Sequence, residues 1–288
     1  MDGFTGADFN SGLECDLTSN EHQEPLITAR LALSEDVKKE AWSVRHAAYA
    51  AQGLIVPNES KMLNDKWDFS SSTKILVIYK NGMPVSTCRI SVYAPNSGIM
   101  DADDVPSMAM FEQEIPKLYE TIPSQGRFAI AIDISRLGRH PLLGADYRPV
   151  FALYRMISYL LLHYEADAVI SAVQKHHIPF YRRMGFTKAA DPKAHPKLNL
   201  QAALMAGIRD PSGHLREVLP TLGLVSVSDS NYLGFVAGER VPVFGTGQAP
   251  AELSGLFGGR MEGERKATLV LARRGMSVAT DKEIAIAA

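Results

Sequence analysis

Apolar and polar positions along the chain follow two periods, and the changes between them mark the elements. After a polar stretch up to about Pro25, the run LITARLAL predicts a strand. Ser34, Glu35 and Asp36 then give an N-cap with an acidic first turn, which predicts a helix through VKKEAWSVRHAAYAAQG that stops near Gly53. Trp42, Arg45 and Tyr49 share one face of that helix. After a polar loop, KILVIYKNGMPVSTCRISVY predicts two strands joined at Asn81-Gly82, a strong hairpin signal. The segment DDVPSMAMFEQEIPKLYETIP, bounded by prolines, reads as helical. In GRFAIAIDISRL, Phe128, Ile130, Ile132 and Ile134 form an apolar strand face, while Ala129, Ala131, Asp133 and Ser135 line the other. The loop GRHPLLGAD leads to an apolar helix, VFALYRMISYLLLHYEA, then a strand, AVISAVQ, and a short helix, HHIPFYRRM, ended by Gly185. Beyond Ala194 the pattern weakens. LNLQAALMAGI and HLREVLPTL are expected as short helices, LVSVS as a strand and FGTGQAPAELSGLFGGRMEG as a loop.

This order divides the chain into a leader over 1–25, a main domain over 26–200, a C-terminal extension over 201–275 and a tail over 276–288. With 288 residues, of which 46% are hydrophobic, the chain can bury a core without a metal or a disulfide. Thirty basic against thirty-two acidic side chains give a net charge of −2, which argues against a nucleic-acid or anionic-membrane partner. Cys15 and Cys88 are too few for a disulfide framework or a zinc site, so a reducing compartment is expected. The N-terminus lacks the basic cap and apolar core of a secretory signal, and no run reaches the ~18 apolar residues of a membrane span. A cytoplasmic protein is expected.

The order strand, helix, hairpin, strand, loop, helix, strand, helix, closing on FYRRMGF, resembles the GNAT acyltransferase fold, an α/β (α+β) architecture with a mixed central sheet flanked by helices. Tyr181, Gly185 and Phe186 fit its C-terminal motif, while Gln174 stands where an Asn is usual and His177 where a small residue is usual. Arg45, then Asp65 and Asp68 in NDKWD, then Arg89, then Asp133, Ser135 and Arg136 in DISRL follow the order found in acyl-homoserine-lactone autoinducer synthases. Those enzymes usually carry Glu-x-Ser-Arg-Phe; this chain has Asp133-Ile-Ser-Arg-Leu137 and lacks the tryptophan usual after their first helix. It is more similar to their relatives, the long-chain N-acyl amino acid synthases. That resemblance covers roughly Ala29 to Lys188.

The resemblance implies transfer of a long fatty acyl group from an acyl-carrier-protein thioester, or acyl-CoA, to the amine of an amino acid, with no permanently bound cofactor. An autoinducer synthase and a non-catalytic acyl-pantetheine-binding module are the alternatives. Amide formation from a thioester needs a proton acceptor, oxyanion donors and an acyl slot. The resemblance assigns catalysis to Asp133, Ser135, Arg136 and Tyr181, with Asp133 handling the amine and Tyr181 protonating the leaving thiolate. From the residues alone, Asp133 could equally pair with Arg136 or Arg89, and Tyr181 could be a packed aromatic. Arg45, Asp65, Asp68 and Arg89 are implied to form an ion-pair network that scaffolds the amine pocket. Where CoA-dependent enzymes of the resembled fold usually carry a compact Arg/Gln-x-x-Gly-x-Gly/Ala phosphate cradle, this chain has RHPLLGAD, with a proline and extra residues, so the resemblance implies phosphopantetheine on a carrier protein over CoA. Lys175, Arg182, Arg183 and Lys188, with Lys193 and Lys197, gather positive charge suited to an acidic carrier, or else form an ordinary mixed surface. Adjacent His176 and His177 diverge on a helix, so no metal is read. Cys88 has no neighbouring base and reads first as a buried thiol, Asp104 as a solvated acid.

Overall fold

A computed structural model describes residues 26–123, 126–209 and 225–244. The leader, HLREVLPTL, the body of the Gly-rich stretch and the tail lie outside the described residues. Strand β1 (Ile27–Leu31) leads through the N-cap position Ser34 into α1 (Glu35–Ala51). Then follow a 3-10 turn (Lys66–Phe69), β2 (Thr73–Lys80) and β3 (Met83–Tyr93). Asn81 and Gly82 both take positive φ, 51° and 82°, between the paired Lys80 and Met83, so the tight turn expected of Asn-Gly forms. The proline-bounded region yields α2 (Met108–Phe111) and α3 (Glu114–Glu120). Next come β4 (Ala131–Arg139), a 3-10 turn (Pro141–Leu143), α4 (Arg148–His163) and β5 (Ala168–Gln174). After a 3-10 turn (Lys175–His177) come α5 (Ile178–Arg183), β6 (Thr187–Ala194), β7 (Gln201–Ile208), α6 (Tyr232–Val236) and β8 (Val241–Pro242).

The strands form one mixed sheet in the order β6-β7-β5-β4-β3-β2-β1-β8. Among the described strands, only β4 and β5 pair in parallel. One face carries Leu76, Ile78, Ile90, Val92, Ile132 and Ile134 against α4, whose Leu153, Ile157 and Leu160 are all but fully buried. On the other face α1 covers Ile75, Val77 and Tyr79, while α2 and α3 cover Ala131, Ala168 and Ile170. Strand alternation puts Arg89, Ser91, Asp133 and Ser135 on that second face, because Arg89 pairs with Ser135 and Ser91 with Asp133 across β3 and β4. Charge therefore collects on the sheet between α1 and the α2–α3 pair.

Three expectations are corrected and one unread strand is added. LNLQAALMAGI is a strand, not a helix: β7 is buried on both faces, and a short continuous apolar run carries no periodicity that separates the two. Strand β6, largely exposed and containing Pro192, is an edge strand that the sequence pattern did not show. Residues Val225–Ser228 of LVSVS form no strand, and Phe128 is exposed, ahead of the start of β4. Strand β7 lies between β5 and β6, and the fully buried Phe235 of α6 joins the core beside α4.

Candidate active site

Asp65 ends the loop after α1 and caps the 3-10 turn: its carboxylate accepts the Trp67 N–H at 3.1 Å, while Asp68 reaches back to the Asp65 N–H at 2.9 Å. This reciprocal cap aims both carboxylates at the sheet. Arg45 of α1 donates to Asp68 at 2.7 Å and to the Leu63 carbonyl at 3.1 Å. Arg89 of β3 bonds both acids, Asp65 closely and Asp68 at 3.1 Å, and its Nε donates to Ser135 Oγ at 3.1 Å. Arg136 closes the cluster on Asp65 through Nη2 at 2.8 Å and Nε at 3.2 Å. The four network residues inferred from sequence are thus one buried cluster, and Arg136 is its fifth member. Burial pushes the Asp65 carboxyl up, yet Arg89 and Arg136 outweigh it and hold the group at about 2. Arg136 sits at φ 57° in a bulge where Arg89 and Thr87 of β3 face Ser135 and Gly138 of β4, which turns its side chain toward Asp65.

Asp133 is fully buried but bonds neither Arg136 nor Arg89. Instead the Ser107 N–H donates to Oδ2 and the Ser107 hydroxyl to Oδ1, each at 2.8 Å. Both direct pairings entertained from the sequence are corrected here: the arginines are occupied by Asp65 and Asp68, and a serine that opens α2 takes their place. Burial lifts the Asp133 carboxyl to about 6, against the opposing pull of the Ser107 bonds and the Arg89 charge; Asp104 adds to the rise.

Beyond Asp133 and Ile170, the last β4–β5 pair, the two parallel strands separate, and Ser171 Oγ bridges the gap to the Ile134 carbonyl at 2.8 Å. The opening is a cleft with two arms. A narrow arm of about 90 Å³ runs between Ile134–Leu137 and Ser171–Gln174 toward His177 and Tyr181. The other arm, about 110 Å³, has a polar wall of Asp65, Arg89, Ser107 and Arg136 and an apolar wall including Met110, Leu200 and Ala202. Tyr49, Ser135, Arg136, Ala172 and Leu200 line both arms. Tyr181 is buried beside Tyr154 and Ser171; burial raises its hydroxyl pKa further than their hydrogen bonds lower it.

Residues 40–207 match the family model of FeeM, described as N-acyl amino acid synthase. The chain belongs to this family. Among solved structures, FeeM from uncultured soil microbes is 18% identical, covers 70% of this chain and 98% of its own, and superposes with a TM-score of 0.55. The acyl-homoserine-lactone synthase LasI is 13% identical over 68% of this chain and 94% of its own, with a TM-score of 0.45. BjaI, a CoA-dependent acyl-homoserine lactone synthase, is 17% identical over 69% and 87%, with a TM-score of 0.46. No curated protein matches the chain in sequence. The fold is that of a GNAT-like acyltransferase, and this N-acyl amino acid synthase family member is an N-acyltransferase.

Other residues of this synthase-family chain fall as follows. Lys175 and Arg182 are exposed and Arg183 is half-buried on the short helical segment that ends the narrow arm. The basic patch is smaller than the sequence implied, because Lys188 pairs with Asp191 and Lys193 with Glu114, each at 2.5 Å. Cys88 is fully buried, and burial pushes its thiol up to about 12, so it is not a thiolate nucleophile. Asp104 is partly exposed and accepts from Lys66 at 2.7 Å and from Trp67 Nε1 at 3.2 Å rather than being simply solvated. Among the described residues no three acidic, histidine or cysteine side chains gather as metal ligands, and no helix is long and apolar enough to cross a membrane. The sequence reading missed Trp67, Ser107, Ser171 and His195. His195, between β6 and β7, accepts the Lys197 and Leu198 N–H groups on Nδ1 at 3.0 and 3.1 Å, which leaves Nε2 to carry the proton at the charged arm. Its signal was the HPK turn, where a ring nitrogen can cap the backbone that follows.

Proposed function

We propose that this enzyme moves a long-chain fatty acyl group from the phosphopantetheine thioester of an acyl carrier protein to the amine of an amino acid. The observation that carries this reading is the meeting of the two arms at Ser135, Arg136 and Ala172. The narrow arm suits an uncharged pantetheine, with the thioester at the junction. The charged arm suits a zwitterion lying beside an alkyl chain. Three guanidiniums, those of Arg45, Arg89 and Arg136, face two carboxylates, and Arg136 lines the cleft, so the excess positive charge favours a substrate carboxylate there. The amine nitrogen attacks the thioester carbon; the C–N bond forms and the C–S bond breaks. One ammonium proton passes toward Asp133 before the attack; the departing thiolate takes a proton from Tyr181, and the second proton that nitrogen sheds as the amide forms replaces it on the tyrosine.

Two features support a carrier protein over CoA as donor. The loop after β4 is folded on itself, with Arg139 bonded to the Gly144 carbonyl and Pro141 in the turn, which leaves fewer free donors for a pyrophosphate. Lys175 and Arg182 are exposed on the helical segment whose His177 and Tyr181 line the narrow arm, and would meet an acidic carrier docking there. The test is mass spectrometry of products from purified enzyme, pooled amino acids and either acyl-carrier protein or acyl-CoA. An N-acyl amino acid formed from the carrier substrate, more slowly at raised salt and after Arg182→Glu, is expected. Absence of any acyl-amino acid overturns the reaction. Equal use of both donors, indifferent to salt, overturns the donor.

A further inference from the structure

Of the residues assigned to catalysis, Asp133 alone does not line the cleft; Ser135, Arg136 and Tyr181 do. Both of its oxygens are covered by Ser107, whose own exposure is only 3% yet which forms part of the charged arm's wall. Ser107 is also anchored: its carbonyl accepts the N–H groups of Met110 and Phe111 at 3.1 and 3.0 Å, so it cannot swing aside without unwinding the start of α2. An amine in the cleft therefore meets a hydroxyl first and the carboxylate only behind it.

We infer that the Ser107 hydroxyl is the proton relay between the acceptor amine and Asp133. The serine oxygen takes a proton from the bound ammonium as its own proton moves to Asp133 Oδ1. The ammonium becomes the neutral amine, the carboxylate becomes the acid and the serine is unchanged. After product leaves, the same path returns the proton to water in the cleft. This assignment rests on the reading in which Asp133 receives the amine proton. Burial favours that uptake, with Arg89 opposing and Asp104 assisting. A concerted transfer through a neutral hydroxyl creates no alkoxide, so the buried position of the serine is no obstacle.

The experiment is a double-mutant cycle on Ser107→Ala and Asp133→Asn, with kcat and KM measured from acid to alkaline pH and melting temperature recorded for each variant. Each single change is expected to lower kcat by about 10² while KM for the amine holds, in the range usual for acid–base groups. The double variant should be no slower than the singles, because either one breaks the same path. The Ser107→Ala deficit should shrink above the pKa of the free ammonium, where the amine arrives neutral. Ser107→Thr, which keeps the hydroxyl, should stay within about tenfold of the parent. Near-normal turnover in Ser107→Ala, or losses that multiply in the double variant, overturns the relay while leaving Asp133 as the base. Full activity in Asp133→Asn instead fells the base assignment on which the relay stands. If Ser107→Ala does not fold, a folded but inactive Ser107→Thr decides against the relay.

Discussion

Arg45 and Asp68 face each other at 2.7 Å with no exposed side-chain surface on either, a placement that is costly unless every charge has a partner. Arg45→Ala leaves Asp68 short of one donor, and Asp68→Ala leaves both Arg45 and Arg89 short of an acceptor. Each is expected to lower unfolding free energy by about 3–5 kcal/mol, the range for breaking a buried pair from one side. The double variant should lose clearly less than the sum, since residues of one network couple. Denaturant unfolding of the set measures this, and simple addition would show two independent charges. That these residues lie together was implied by the family resemblance their order carries. What Asp133 touches was not. Its partner Ser107 lies 26 positions away, in a segment whose pattern said only that it was helical, and no spacing rule links a strand acid to the serine opening a later-packed turn. Ser107 could be found only once α2 was seated on the sheet.

At the scale of elements, the parting of β4 and β5 produces the cleft, and Ala172 of β5 lies on both arms at that point. Ala172→Leu is expected to retain the fold, because the position borders open space, and to cut kcat/KM by at least about tenfold by filling the junction, the order expected where reacting groups are misplaced by an ångström. Steady-state kinetics beside a melting curve checks this; unchanged kinetics would place the reacting atoms elsewhere. The elements that were read correctly announce themselves locally. Helix α1 has its acidic first turn and amphipathic face, although Ser34 at its N-cap makes no side-chain capping bond, and the β2–β3 hairpin has alternation on both sides of Asn-Gly. Those that were missed owe their state to neighbours. Strand β7 is a strand because β5 and β6 flank it, and β6 is an edge whose exposed polar side chains look like a loop.

For the molecule as a whole, acid acts on several groups with opposite signs. Burial, with Arg136 nearby, holds His195 at about 4, and burial with His176 holds His177 at about 3, so the unfolded chain protonates first and stability falls as pH drops below about 6.5. Asp133, held up at about 6, protonates first in the folded state and returns part of that loss down to about pH 4. Below this, Asp65 and Asp146, both held at about 2, take protons first in the unfolded chain and stability falls again. Melting temperatures are therefore expected to decline from about pH 6.5 and more steeply below about pH 4. His195→Gln should flatten the upper part alone; a variant that parallels the parent throughout would contradict the assignment. The sheet order carries one more consequence, for how the chain comes into being. Among the described residues, β5 finds its antiparallel partner only in β7, and β1 is covered on its outer edge only by Val241–Pro242. As the polypeptide leaves the ribosome from its N-terminus, both edges of the growing sheet stay open until late segments arrive, while the apolar β5 waits with its hydrogen-bonding groups bare. Slow translation between residues 174 and 208 should therefore lengthen the interval in which the open sheet edge is exposed to wrong partners, and raise the nascent chain's dependence on a chaperone.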